Sequence, residues 1–343
     1  MREAFTFDDV LIIPSHSDID SRSEISLAQN FLGLEMGLPI ISANMDYVTG
    51  ATMSYEMRQN GALGILHRFY PDKESYLRDI FVLGQLHSPI IISVGTRDIK
   101  ESMISIRNLY LDNKDMVGVC IDIAHGDHKK VVDLINLIKI EFPDLSVIAG
   151  NVATGEGFQR LVTAGADAIK VGIGPGSVCT TREVTGVGVP QLSSIMDVYE
   201  TKMAWGYYAT PIIADGGIKN SGDIVKALAA GADLVMLGSL LAGSPECPGS
   251  VRVAPDNSRW RPYRGQSIFG VNGAKFVPEG ISGWVQEKPP VAQTLAKLAG
   301  GIRSGMSYVG ARNLPELREN AEFIKISHST HYESGTRVAT QLE

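Results

Sequence analysis

Three observations in the sequence predict a closed (β/α)8 barrel. Eight short apolar runs recur along the chain, helix-periodic segments lie between them, and each run is followed by glycine or by residues able to do chemistry. The runs are Leu38 to Ser42, Ala62 to Leu66, Ile90 to Val94, Val117 to Ile121, Ser146 to Ala149, Ala168 to Val171, Pro211 to Ala214 and Leu234 to Leu237. Each is short, β-branched and bounded by polar residues or glycine, as strands buried on both faces are. Between them, 129–140 (KKVVDLINLIKI) and 223–230 (DIVKALAA) carry the helical repeat, the second stopping at Gly231. Eight alternations within about 200 residues favour closure over an open doubly wound sheet, since no early strand is followed by a dinucleotide glycine fingerprint. One barrel domain over residues 1–343 is therefore expected. Two excursions interrupt it: an active-site loop at 174–190 and a flap at 244–286. Tyr263, Phe269, Phe276 and Trp284 argue against full disorder of the second, which reads as a mobile flap over the barrel mouth.

The 343 residues, 44% of them apolar, suffice for a large core. A formal net charge of -7 disfavours a nucleic-acid surface, although backbone amides hold a small anion whatever the net charge. Cys120, Cys179 and Cys247 are odd in number and far apart, so they form neither a disulfide framework nor a zinc-ligand spacing. The N-terminus MREAFTFDDVLIIPSHSD carries acidic residues where a signal peptide needs an apolar core, and no apolar run reaches membrane-spanning length. A soluble, cytoplasmic protein with no nucleic-acid or membrane partner is expected.

The strand ends carry the chemistry. Asn44-Met45-Asp46, His67-Arg68, Gly95-Thr96-Arg97, Asp122, Gly150-Asn151, the loop after the sixth strand, Asp215-Gly216-Gly217 and Gly238-Ser239 all fall on the C-terminal face. An isolated Asp or Ser there is most often a turn or cap residue, but together these make a site. In 172–191 (GIGPGSVCTTREVTGVGVPQ), Gly172, Gly174 and Gly176 allow close backbone approach, and Ser177, Thr180 and Thr181 offer hydroxyls around Cys179. That combination suits a nucleophile beside a phosphate; the bland alternative is a buried cysteine under a flexible loop. Glycine amides at Gly216, Gly217, Gly238 and Ser239 can cradle a phosphate, while Asp215 is suited to accept from ribose hydroxyls. The implied ligand is a nucleoside monophosphate. His125 and His128 lack metal-ligand spacing and read as loop residues.

Four segments carry a resemblance over nearly the whole chain: GPGSVCTTREVTGVGVPQ, IIADGGIKNSGDIVKALAAGADLVMLGSLLAG, FTFDDVLIIPSHSDIDSRSE and GGIRSGMSYVGARNLPELRENAEFIKI. They resemble the inosine monophosphate (IMP) dehydrogenase and guanosine monophosphate (GMP) reductase superfamily. The resemblance implies attack of the Cys179 thiolate on purine C2, a covalent thioimidate, and hydride transfer between C2 and a nicotinamide cofactor. The reductase takes GMP and NADPH to IMP and ammonia; the dehydrogenase takes IMP and NAD to xanthosine monophosphate by hydrolysis.

Three features resemble the reductase. Only His67 to Ser88 follows the second strand, too short for the regulatory modules of typical dehydrogenases, although some dehydrogenases also lack them. The flap from Tyr263 to Glu279 is short and lacks the Arg-Tyr pair that dehydrogenases use to activate water, and Ser267 stands where they usually show glycine. Other features resemble the dehydrogenase: Glu183-Val184-Thr185 with Gly188-Val189-Pro190-Gln191, Glu246-Cys247-Pro248-Gly249, and the tail His331-Tyr332-Glu333-Ser334. Phe276 stands where some reductases place a basic residue. A non-catalytic nucleotide sensor would need neither Cys179 nor Glu279, and both are present.

By resemblance, Cys179, Thr181 and Glu279 are catalytic. The nucleotide is held by Met45, Ser177, Asp215, Gly216, Gly217, Gly238, Ser239, Tyr263, Gly265, Gln266, Ser267 and Gly280. Asp122, Ile123, Ala124, Asn151, Ile173, Gly174 and Arg68 would hold the dinucleotide, with Ser21 and Arg22 of an adjacent subunit in a homotetramer. Arg68 suits the 2′-phosphate of NADPH. A potassium ion is expected at the carbonyls of Gly174, Gly176 and Cys179, with Arg182 nearby.

Overall fold

The computed structural model describes residues 1–265, 269–270, 273–274 and 277–334. Eight parallel strands form the centre: Ile40–Ser42 (β1), Leu63–Gly64 (β2), Ile90–Val94 (β3), Met116–Asp122 (β4), Ser146–Val152 (β5), Ala168–Val171 (β6), Ile212–Asp215 (β7) and Leu234–Leu237 (β8). Hydrogen bonding runs β2-β1-β8-β7-β6-β5-β4-β3. The seam between the two ends is closed by Leu66, which pairs in parallel with Ile92 and donates its amide to the Ile91 carbonyl at 2.9 Å. The structure is thus a (β/α)8 barrel, and all eight sequence-predicted runs are its strands.

Alternation along each strand sorts the core into two layers. Ile41, Ile91, Cys120, Ile148, Ala168, Ile213, Leu234 and Met236 pack together inside the barrel. Their neighbours Ile40, Ile92, Val119, Ile169, Ile212 and Val235 join the cluster shared with the helices. A hairpin of Gln29–Phe31 and Leu34–Met36 precedes β1 and adds Phe31 and Met36 to the interior layer.

The helices that follow the strands are Ala51–Gln59 (α1), Lys73–Gln85 (α2), Ile99–Asp112 (α3), Lys129–Glu141 (α4), Gly155–Thr163 (α5), Gln191–Ala204 (α6), Ser221–Ala229 (α7) and Val291–Ser307 (α8). Several start on an N-cap: Asp72, Asp98, Thr154 and Asn220 accept the amides of Ser75, Glu101, Gly157 and Asp223. His128 caps α4 by accepting the Lys130 amide, which accounts for its place in a loop.

Both excursions are more regular than expected. The loop after β6 contains a short helix, Thr181–Thr185. The region after β8 contains an antiparallel sheet of Arg252–Val253, Arg259–Arg264 and Ser282–Gln286, and a small pair, Phe269–Gly270 with Gly273–Ala274. Arg261 and Tyr263 are buried and alternate with partly exposed neighbours, the period of a strand with one covered face.

Candidate active site

All eight strand ends converge on one open cleft of about 1420 Å³. Met45, Arg68, Thr96, Asp122, Asn151, Lys170, Asp215 and Gly238 each line it from a different strand or strand end, and Tyr263, Gly265 and Glu279 reach it from beyond β8. Ile123, Ala124, Ile173, Gly174, Gly176, Ser177, Cys179, Thr181, Gly216, Gly217 and Ser239 also line it.

The cysteine loop is held by main-chain bonds. The Cys179 amide donates to the Gly176 carbonyl at 3.1 Å, closing the turn. Thr180 then donates to the Glu279 carbonyl at 3.2 Å, Ile281 donates to the Val178 carbonyl at 3.0 Å, and Cys179 pairs with Gly280 as an antiparallel bridge. This pairing brings residues about a hundred positions apart into side-chain contact. The Cys179 thiol donates to Thr181 Oγ1 at 3.2 Å, and the Thr181 hydroxyl donates to Glu279 Oε2 at 3.1 Å. Cys179 is partly exposed, whereas burial pushes the Cys120 thiol up to about 12 and the Cys247 thiol up to about 11. Cys179 is the free thiol that faces the cleft.

The turn after β7 packs directly on this loop. Gly216 has φ 94°, and a Cβ there would lie 2.9 Å from Pro175 Cγ and 3.2 Å from the Gly176 nitrogen. At Gly172, φ 151°, a Cβ would meet the Asp215 carbonyl oxygen at 2.0 Å. Gln191 fastens the same junction, donating to the Val171 carbonyl at 2.7 Å and the Asp215 carbonyl at 3.3 Å.

Beneath the cleft lies a charged cluster that the sequence reading missed. Lys170 Nζ lies 2.8 Å from Asp122 Oδ1 and 3.0 Å from Asp215 Oδ2, and Asn151 Nδ2 donates to the same Asp215 oxygen at 2.9 Å. Burial opposes the lysine charge, but the two carboxylates hold its pKa above the ordinary value. The signal was present: Ala168 faces the interior and Ile169 the helices, so Lys170 faces inward.

Near the expected purine position, Tyr263 Oη and Ser177 Oγ are 3.3 Å apart. A Cβ at Gly238 would meet Tyr263 Oη at 3.1 Å and Met45 Sδ at 3.2 Å, so these three residues surround one narrow space. Arg264 forms an ion pair with buried Asp46, with its Nε at 2.6 Å from Oδ2, and its guanidinium lies 4.8 Å over the Tyr47 ring. This contact, also missed from sequence, ties the strand Arg259–Arg264 to the β1 loop. His67 stacks on Tyr70 with ring centroids 4.0 Å apart; burial, helped by the Arg264 charge, pushes its pKa down to about 4.

On the expected dinucleotide side, exposed Arg68 lies 4.3 Å over the Phe69 ring. Ser21 and Arg22 are exposed and do not line the cleft; Ser21 caps the turn Arg22–Glu24. Arg182 also stands outside the cleft lining, donating to the Val189 carbonyl at 2.5 Å. Its own carbonyl accepts the Gly186 amide at 3.0 Å. Gly280 reaches the site through its backbone pairing with Cys179. Gln266, Ser267 and Phe276 lie outside the described residues. Among the described residues, no group of His, Cys, Asp or Glu side chains is arranged to hold a metal, and no helix is long and apolar enough to cross a membrane.

Comparison with known proteins shows the family of the chain. The model of the "IMP dehydrogenase / GMP reductase domain" matches residues 4–337. The chain belongs to the IMP dehydrogenase / GMP reductase family. Its relatives include the inosine-5′-monophosphate dehydrogenase of Aquifex aeolicus, 33% identical over 470 aligned positions covering 97% of this chain and 95% of the relative. That of Borreliella burgdorferi is 35% identical over 395 positions, covering 97% and 96%. The GMP reductase of Buchnera aphidicola is 36% identical over 333 positions, covering 94% of each chain. Members of this family are oxidoreductases that bind a purine nucleotide and use a nicotinamide cofactor.

Proposed function

We propose that the chain is a GMP reductase: GMP, NADPH and two protons give IMP, NADP⁺ and ammonium. The observation that carries this reading is the hydrogen-bonded series Cys179–Thr181–Glu279, because it supplies a proton route between the nucleophile and a carboxylate without an Arg-Tyr pair. The alignment with the Buchnera reductase also needs no long insertion, whereas that with the Aquifex dehydrogenase spans 470 positions, more than this whole chain of 343 residues.

In this reading the Cys179 thiol loses its proton toward Thr181 and Glu279, and its sulfur attacks C2 of GMP. The C2 amino group leaves as ammonia, receiving a proton returned through Thr181. The product is a thioimidate between Cys179 and the purine. A reduced nicotinamide, when bound, would supply a hydride to C2; the C2–S bond would then break, releasing IMP and the Cys179 thiolate. Gly216, Gly217, Gly238 and Ser239 hold the phosphate through amides, and Asp215 accepts from the ribose.

The residues present fit a nicotinamide cofactor. Asn151 Oδ1 is buried without a partner among the described atoms, so it is available to a carboxamide N–H. Arg68 would pair with a 2′-phosphate, and Ser21 and Arg22 of a neighbouring protomer would complete the site in a homotetramer. Potassium would take the carbonyls of Gly174, Gly176 and Cys179, hard oxygen donors of the right kind. The Gly176 oxygen, already bonded to the Cys179 amide, keeps a second lone pair for it. Arg182 fits only through its backbone oxygen, since its side chain is itself a cation. This reading places the enzyme in the cytoplasm as one barrel domain over residues 1–343.

Purified protein is given GMP with NADPH, and separately IMP with NAD, each with and without potassium, while nicotinamide absorbance is followed. Oxidation of cofactor only in the first mixture is expected. Reduction only in the second establishes the dehydrogenase, the second reading, for which the 35% identity to the Borreliella dehydrogenase over 97% of this chain speaks nearly as strongly as the 36% to the Buchnera reductase does for the first.

A further inference from the structure

We propose that Lys170 is a positioning residue shared by two ligand subsites, holding Asp215 for the nucleotide and Asp122 for the dinucleotide with one ammonium group. The proposal rests on the reading that Asp215 meets the ribose and Asp122 the dinucleotide. Lys170 stands within a strand buried on both faces, and its side chain is 2% exposed. A lysine in such a place loses its hydration, so it persists only where fixed partners replace water.

Those partners come from different strands. Asp122 ends β4 and Asp215 ends β7, on either side of β6, and their carboxylates reach the ammonium at 2.8 Å and 3.0 Å. Asn151 on β5 supports Asp215, and Met236 on β8 lies 4.0 Å from Nζ. Cys120 on β4 faces the same space, and the Arg68 charge acts on Asp122 from the loop after β2. Two carboxylates and one ammonium leave a net negative charge, which suits acceptance of hydroxyl and amide hydrogens. Remove the ammonium, and two partly buried carboxylates are left close together with no cation between them. Their mutual repulsion then moves Asp122 and loosens Asp215, which keeps only the Asn151 amide of the two bonds that fixed its Oδ2.

The consequence is a pattern that a locally structural lysine would not produce. Asp215→Asn should weaken the nucleotide alone and Asp122→Asn the dinucleotide alone, whereas Lys170→Met should weaken both, each by at least about tenfold. The double variant Lys170→Met/Asp122→Asn restores the net charge of the cluster, so nucleotide affinity should return to within about threefold of Asp122→Asn alone.

The experiment is calorimetric titration of each folded variant with IMP, a ligand common to both directions of the family's chemistry, followed by NADP⁺ and NAD titrations. Circular dichroism checks the fold. If Lys170→Met does not fold, the charge-balanced double variant and Lys170→Arg provide the comparison, and Arg, which can span both carboxylates, should retain IMP binding. Unchanged IMP affinity in folded Lys170→Met, or equal damage in the single and double variants, overturns the proposal. A wild type that binds no IMP would instead sink the nucleotide reading on which it rests.

Discussion

Replacing Thr181 by alanine tests the centre of the proposed mechanism. Thr181 Oγ1 accepts from the Cys179 thiol at 3.2 Å and donates to Glu279 Oε2 at 3.1 Å, so one oxygen joins nucleophile and carboxylate. Alanine removes that oxygen and leaves a gap of two hydrogen-bond lengths. The main chain should stay in place, because the Thr181 carbonyl still accepts the Thr185 hydroxyl and Thr180 still donates to Glu279. Positioned proton transfer is worth about 10²- to 10⁴-fold in rate. At about 1.4 kcal/mol per decade, kcat should therefore fall by a factor equivalent to about 3–5 kcal/mol.

The KM for the nucleotide should change by less than about threefold, since the proposed phosphate and ribose contacts lie elsewhere. Thr181→Ser keeps the oxygen and should retain kcat within about tenfold. The assay is nicotinamide absorbance with whichever nucleotide the wild type turns over. A folded alanine variant with kcat within about threefold of wild type, or a serine variant as damaged as the alanine one, refutes the relay.

Cys179→Ala should abolish turnover while leaving nucleotide affinity within about threefold by calorimetry; residual turnover above about 1% sinks the thioimidate. Gly238→Ala would place a Cβ 3.1 Å from Tyr263 Oη and 3.2 Å from Met45 Sδ, and should raise the nucleotide KM by about tenfold with little change in thermal midpoint. His67 is held neutral in the fold with a pKa of about 4, below its unfolded value, so the unfolded state binds more protons between those values. Its contribution is present above pH ~6.5 and is lost as pH falls toward 4, about 2 kcal/mol between pH 7 and pH 5. Urea denaturation should show that loss in wild type and a smaller one in His67→Asn.

The barrel was legible because two-sided burial leaves a plain mark: each strand is a short apolar run, and all eight runs held. Closure was legible too, since the run Ala62 to Leu66 already included the residue that bridges to Ile92. Lys170 is hard to read from sequence because one lysine inside an apolar run carries no signal until alternation assigns it a face. The strand Arg259–Arg264 leaves no strand signature in the sequence because its buried face carries an arginine, Arg261, whose charge is met by Glu287. No local pattern announces that pairing. Nor does sequence indicate that Arg264 finds Asp46, 218 residues away.

The same reasoning explains why the cysteine motif could be read so early and its partner carboxylate only by resemblance. The motif concentrates its glycines and hydroxyls within one loop, so its chemistry is local. Glu279 arrives by main-chain pairing: Thr180 with Glu279, Val178 with Ile281, and Gly265, whose amide donates to the Ile281 carbonyl at 2.9 Å. A Cβ at Gly265 would sit 2.9 Å from the Val178 oxygen and 3.3 Å from Gly280 Cα, so three backbone segments converge where a side chain has no room. The carboxylate is therefore positioned by the backbone of the flap and is within reach of Thr181 only while that pairing holds. Assembly of the relay and seating of the flap on the cysteine loop are one event, so in the proposed mechanism the fate of the thioimidate depends on the segment that carries Glu279.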